Sequence, residues 1–205
     1  MNALVQSTLE VFAKRIYDLQ EAPIPVNAKK KAVDMDCRIV SDYLGTEDEQ
    51  VSHATPFIIK NCKSWSVTAV ELYHHLRETM KLQHYQICEV YINEKTGKPV
   101  LFHHTTKKEE KKGFRRAFAV EHEFPIGITK QMVIDKKFAS PEVVQKHLKK
   151  YNRIVIVTVD ENDKLNKSHK SAKKLIEAKD RYKNAGIEVV RFEPNPKASL
   201  NEFFI

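Results

Sequence analysis

The spacing of apolar residues changes near Gln86, and this change limits the kind of fold that the chain can adopt. Before that point, Val5, Leu9 and Ile16 recur at helical intervals and predict an amphipathic helix over residues 3–20. After it, short β-rich segments alternate with turn signals. We therefore expect an α+β protein, with a helical N-terminal third followed by a mixed region that contains a β-hairpin.

Local signals predict the remaining elements. Helices are expected over residues 29–44, from a cap at Ser66, from about Gly127, from the Ser140-Pro141-Glu142 start signal and over residues 171–184. Strands are expected over residues 86–93, 99–105, 117–120, 153–159 and 187–192, and a short extended piece over residues 56–59.

Composition describes an ordinary globular protein with an excess of positive charge. The 205 residues are 41% hydrophobic and 30% charged, and the formal net charge is +8, which favours a polyanionic partner. Cys37, Cys62 and Cys88 lie far apart and form no C-x-x-C pair, so they indicate buried, reduced thiols in a cytoplasmic protein. No apolar run reaches membrane-spanning length, and the N-terminus is expected to be a helix, not a signal peptide.

An acidic residue stands next to a histidine where the predicted strand over residues 117–120 ends. The segment reads Glu121-His122-Glu123-Phe124-Pro125-Ile126. A carboxylate can bind a hard divalent cation, and a neighbouring imidazole can take a proton from water. In a basic chain, this pair indicates metal-assisted cleavage of a phosphodiester.

The order of hairpin, strand, acid–histidine pair, two residues, proline and helix resembles the HNH, or ββα-metal, nucleases. Their first element is often written D/E-H-x-x-P followed by an aliphatic residue, here Glu121 to Ile126. The resemblance implies that His122 is the general base acting on water and that Glu121 is a metal ligand. Asn152, which precedes the apolar segment after a predicted helix, would steady the loop that carries the histidine.

The last metal ligand of the resemblance is expected further along the chain. The segment over residues 157–165 is similar to the family's ligand-bearing segment, with Asn162 in the place of the final histidine. Asp163 and His169 are alternatives for this ligand. The C-x-x-C knuckles that brace many HNH proteins are missing.

The resemblance implies a metal-dependent endonuclease that acts on double-stranded DNA with Mg²⁺ or Mn²⁺. It also divides the chain into two regions. Residues 83–205 would form the catalytic region around a ββα-metal-like core. Residues 1–82 would serve for dimerisation or for reading DNA, which is compatible with a homodimer.

Two groups of basic residues are expected to hold the phosphate backbone and to make binding depend on salt. The first group leads into the strand before Glu121, and the second follows the predicted helix from Ser140. The first consists of Lys107, Lys108, Lys111, Lys112, Arg115 and Arg116, and the second is represented by Lys149, Lys150 and Arg153.

Two other interpretations compete with the HNH nuclease. In the first, the chain is a non-catalytic nucleic-acid-binding or regulatory protein that uses the same lysines, and Glu121 and His122 are structural. The second is a nuclease of the PD-(D/E)xK type, for which Glu94-Lys95 is a poor match because it lies in a turn.

Overall fold

The computed structural model describes residues 3–46, 55–103, 105–169 and 180–193, and there the α+β class is confirmed. The helices are α1 (Ala3–Glu21), α2 (Val26–Thr46), α3 (Thr55–Asn61), α4 (Val67–Thr79), α5 (His84–Ile87), α6 (Ile126–Ile134), α7 (Pro141–Tyr151), α8 (Val159–His169) and α9 (Arg181–Asn184). The strands are β1 (Ser64–Ser66), β2 (Val90–Asn93), β3 (Pro99–Leu101), β4 (Phe114–Arg116), β5 (Phe118–His122), β6 (Ile154–Thr158) and β7 (Val189–Arg191).

The strands of the described residues form a four-stranded sheet and a three-stranded sheet. The larger sheet has the order β5-β6-β1-β7. In it, β1 runs parallel to β6, whereas β5 pairs with β6 and β7 pairs with β1 in the antiparallel direction. The smaller sheet has the order β3-β2-β4 and contains the predicted hairpin, formed by β2 and β3.

Serine caps begin two helices at the positions that the sequence predicts. The Ser66 hydroxyl oxygen accepts a hydrogen bond from the Ala69 backbone N–H at 3.1 Å and starts α4. The Ser140 oxygen accepts from the Val143 N–H at 3.4 Å, and Pro141 occupies the first turn of α7. Both caps satisfy backbone donors that have no partner inside the helix.

The extended piece expected over residues 56–59 is wrong, because this segment belongs to α3. Phe57, Ile58 and Ile59 are all buried. A short run of consecutive apolar residues has neither the helical nor the strand period, so the pattern does not distinguish the two. Residues 171–179 of the predicted C-terminal helix lie outside the described residues.

In the described part of the chain, three apolar cores hold the elements together. One face of the larger sheet carries Trp65, Phe118 and Ile156, which pack with α3 and α4. The opposite face carries Val155 and Val157, which pack with α8 and α9. The third core joins α1, α2, α6 and α7 through Leu9, Ala13, Ile16, Val33, Cys37, Val40, Ile126, Val133, Phe138, Val144 and Leu148.

The division expected after residue 82 does not follow this packing. Trp65, from the first region, contacts Phe118, from the second, with ring centroids 5.5 Å apart. Strand β1 also hydrogen-bonds to β6, with Trp65 paired to Ile156. The N-terminal region therefore contributes a strand to the sheet that carries Glu121 and His122.

Cys37, Cys62 and Cys88 are free and buried, as the sequence predicts. Burial raises the pKa of each thiol above its ordinary value. The thiols therefore stay protonated at neutral pH and act as small apolar side chains.

Candidate functional site

Glu121 and His122 lie at the carboxyl end of β5, on opposite faces of the sheet. The His122 ring lies against α2, where its Nε2 is 3.0 Å from the Ser41 Oγ. Glu121 points to the face that carries α8 and α9, and it forms an ion pair with Arg181. The sheet thus lies between the two side chains, so they do not face a common site.

The environment of His122 keeps its imidazole uncharged. The Ser41 hydroxyl donates to the Arg38 carbonyl at 2.8 Å, so its oxygen accepts from the Nε2–H of His122. This assignment leaves the lone pair on Nδ1. Loss of hydration, and then the charge of Arg38, lowers the pKa of His122 to about 4, although Asp34 acts in the opposite direction. The ring is neutral at pH 7, which is the state that a general base requires.

The Glu121 carboxylate is already engaged in an ion pair with Arg181. The Arg181 side chain is 3% exposed, and one of its terminal nitrogens donates to Glu121. The other donates to the backbone carbonyl of His122 at 2.9 Å. A buried guanidinium requires a counter-charge, and Glu121 supplies it.

Asn152 fixes the start of β6 to α2. It ends α7, and its backbone N–H donates to the Leu148 carbonyl. Its buried side chain donates to the Cys37 carbonyl at 2.6 Å. Because Cys37 lies one turn before Ser41, Asn152 holds the helix that contacts the His122 ring, which gives it an indirect link to the histidine.

Asn162 and Asp163 lie in the first turns of α8, far from His122. This helix begins where β6 ends, and that end of β6 is paired with Phe118, whereas His122 is at the other end of β5. Phe118 and His122 are four residue steps apart along β5, or about 13 Å. Asp163 accepts a hydrogen bond from Arg115 at 2.5 Å, so one predicted metal ligand is paired with one predicted phosphate-binding residue.

The predicted metal ligands do not gather around one point. Glu121 is paired with Arg181, and Asn162 and Asp163 lie in α8, near the opposite end of β5 from Glu121. The side chain of His169 falls outside what the structure describes. Among the described residues, no three His, Cys, Asp or Glu side chains are placed to hold a metal ion. The residues described here therefore do not fit the Mg²⁺ or Mn²⁺ site that the HNH resemblance implies.

In the first predicted group of phosphate-binding residues, some members are exposed and others are engaged in contacts within the protein. Lys111 Nζ lies 5.0 Å from the centre of the Tyr91 ring. Arg116 donates to the Cys88 carbonyl, and Arg115 is paired with carboxylates. The exposed members are Lys107, Lys108 and Lys112.

The second predicted group is engaged in surface contacts. Lys149 donates to the Gln6 side chain at 3.0 Å, and Arg153 forms an ion pair with Glu123 at 2.8 Å. Lys150 lies over an aromatic ring. Exposed contacts of this kind are weak, so these residues remain available to a partner at small cost.

A cationic depression lies near His122, and it was not predicted from the sequence. It has a volume of about 490 Å³ and is lined by Lys30, Lys31, Asp34, Met35, Arg38 and Lys130. We call it the α2–α6 depression, because Lys130 belongs to α6 and the other residues to α2. His122 contacts Ser41, whose hydroxyl donates to the Arg38 carbonyl, so the ring lies about one turn of α2 from a residue that lines this depression.

Asp34 links two of the cations in the α2–α6 depression. Its carboxylate is 2.8 Å from Arg38 Nε and 2.5 Å from Lys130 Nζ. Burial raises the pKa of Asp34, but the hydrogen bonds and the positive charges of Arg38 and Lys130 together outweigh this effect and hold the pKa below its ordinary value. Four cationic side chains against one carboxylate leave three positive charges in excess.

Comparison with known proteins does not assign this chain to a family. Searches against family models, curated proteins and solved structures each found no match. Across residues 3–46, 55–103, 105–169 and 180–193, no helix is both long and apolar enough to cross a membrane. A function for this chain therefore rests on the geometry of its described residues.

Proposed function

We propose that this chain is a nucleic-acid-binding protein that holds phosphate groups in the α2–α6 depression. The observation that carries this proposal is the excess of three positive charges in one concave surface. Lysine and arginine side chains bind phosphates and release the cations condensed on the polymer, which favours binding at low salt. Arg38 and Lys130 are held in place by Asp34, so less side-chain entropy is lost when they meet an anion.

A second candidate is the endonuclease activity implied by the HNH resemblance, and two observations favour it. Strands β5 and β6 are antiparallel neighbours in the sheet, with α6 and α7 between them in the chain, and β6 is followed by α8, which packs on the sheet. Apart from the inserted α6 and α7, these elements supply the two strands and one helix that the resemblance requires. His122 ends the first of these strands as a neutral imidazole, about one turn of α2 from the cations of the α2–α6 depression. The described residues do not form a site for the metal that this activity would use.

Binding is tested with a labelled 20-base-pair DNA duplex, a single strand and an RNA of the same sequence, by fluorescence anisotropy at fixed salt. We expect Lys30→Gln/Lys31→Gln to weaken binding of the preferred polymer by about tenfold or more. The matched control is Lys95→Gln/Lys98→Gln, which removes the same charge from the exposed turn between β2 and β3. Equal losses in both double variants, or no binding of any polymer by the wild type, would contradict the proposal.

Cleavage is tested separately on supercoiled plasmid with Mg²⁺ or Mn²⁺ and with EDTA. Nicking by the wild type that is lost in His122→Gln would support the second candidate. Salt-sensitive binding without nicking would support the non-catalytic protein. Nicking that persists in His122→Gln would exclude His122 as the base, provided that the variant keeps the wild-type circular dichroism.

A further inference from the structure

The Arg181–Glu121 pair connects the C-terminal described segment to the end of β5. Arg181 is at the start of α9, and its guanidinium contacts both the carboxylate of Glu121 and the carbonyl of His122. Two consecutive residues of the strand are therefore held by one cation. The Glu121 side chain is 19% exposed and that of Arg181 only 3%, so water screens this pair weakly.

A divalent ion at Glu121 would have to lie next to this buried guanidinium. Two positive charges in direct contact with one carboxylate repel each other strongly where water is excluded. Displacement of Arg181 from Glu121 would leave a buried cation without its counter-charge, which is costly. The carboxylate is thus neutralised from within the chain.

We propose that Arg181 takes the place of a metal ion as the positive partner of Glu121, and that Glu121 binds no divalent metal in the folded protein. In this arrangement Arg181 is a positioning residue. It neutralises the acid of the Glu121-His122 pair, and it fixes the backbone that carries the imidazole. This inference does not depend on nucleic-acid binding, which is carried by other residues.

The metal part of the inference is tested by titrating Mn²⁺ into the protein and following free Mn²⁺ by electron paramagnetic resonance. We expect the same number of bound ions in the wild type and in Glu121→Gln. One bound equivalent in the wild type that disappears in Glu121→Gln would overturn the proposal. If Glu121→Gln does not fold, Glu121→Gln/Arg181→Met replaces it, because that variant removes both charges together.

The ion pair itself is tested by thermal unfolding of the two single variants and the double variant. Glu121→Gln and Arg181→Met are each expected to lower Tm by roughly 6–12 °C, since each leaves one buried charge alone. The double variant is expected to unfold at a higher temperature than the less stable single variant. Additive losses in the double variant would show that the two side chains are not coupled, and would refute the role of Arg181.

Discussion

Three histidines are held neutral by burial, and together they predict how stability changes with pH. Loss of hydration is the first cause that lowers the pKa of His84, His122 and His147, each to about 4. Unfolded histidines titrate near 6.5, so between about pH 6.5 and pH 4 the unfolded chain binds more protons than the folded one. Stability from these groups is therefore complete above about pH 6.5 and decreases as the pH falls towards 4.

We expect urea denaturation at pH 7 and pH 5 to differ by about 1 kcal/mol or more for each histidine. His147 is not among the residues that line the α2–α6 depression, and its Nε2 is 2.9 Å from the Thr129 hydroxyl, a contact that joins α7 to α6. His147→Gln should reduce the difference between the two pH values. An unfolding free energy that is the same at pH 7 and pH 5 would contradict the neutral state of these rings.

At the scale of the element, α8 begins with a capping box that its sequence contains. The Thr158 hydroxyl accepts from the Glu161 N–H at 3.2 Å, and the Glu161 carboxylate accepts from the Thr158 N–H at 2.9 Å. The same carboxylate accepts from the Ser66 hydroxyl at 2.6 Å, so it links the starts of α4 and α8.

Glu161→Ala should therefore lower the free energy of unfolding by about 2 kcal/mol, because buried donors lose their acceptor. Asp160→Ala is the control at the adjacent position, where the side chain is 80% exposed. It should cost no more than about 1 kcal/mol. Guanidinium denaturation of both variants checks the prediction, and equal costs would show that the box contributes nothing.

Elements with a strong period or a cap could be predicted from the sequence, and those without could not. The apolar spacing of α1 and the Ser140-Pro141 start of α7 depend on neighbouring residues only, and both were predicted. Helix α3 has no such period, and its state depends on the core around it. The capping box was present as Thr158-x-x-Glu161 but was interpreted as a ligand-bearing segment.

At the scale of the whole molecule, α2 packs closely on β6 at Gly45. A Cβ atom there would come within 2.3 Å of Ile154 Cγ1, and Ile154 is 1% exposed. We expect Gly45→Ala to destabilise the protein by about 1–3 kcal/mol, because the core would have to shift.

Gly127→Ala in α6 is the matched control for Gly45→Ala. In the part of the chain that the structure describes, a Cβ at Gly127 meets no atom within 4 Å. Alanine there should stabilise the protein by about 0.5–1 kcal/mol through helix propensity. Thermal unfolding should therefore shift in opposite directions, and a shared direction would contradict the close contact between α2 and β6.

The candidate site could be predicted only in part, because its residues come together through long-range packing. Glu121 and His122 were found from their position at a strand end, but the alternation of the strand puts them on opposite faces. The α2–α6 depression joins Lys130 to a helix almost a hundred residues earlier. Lys30, Asp34 and Arg38 are spaced four residues apart, and this spacing in the sequence could have predicted that they share one face of α2.

The most direct test of phosphate binding at the α2–α6 depression is the salt dependence of the dissociation constant for the preferred nucleic acid. The logarithm of the binding constant should fall with the logarithm of NaCl concentration with a slope of about −2 to −4 in the wild type. In Lys30→Gln/Lys31→Gln the slope should become shallower by about 2. An unchanged slope in this variant would mean that the depression does not hold phosphates.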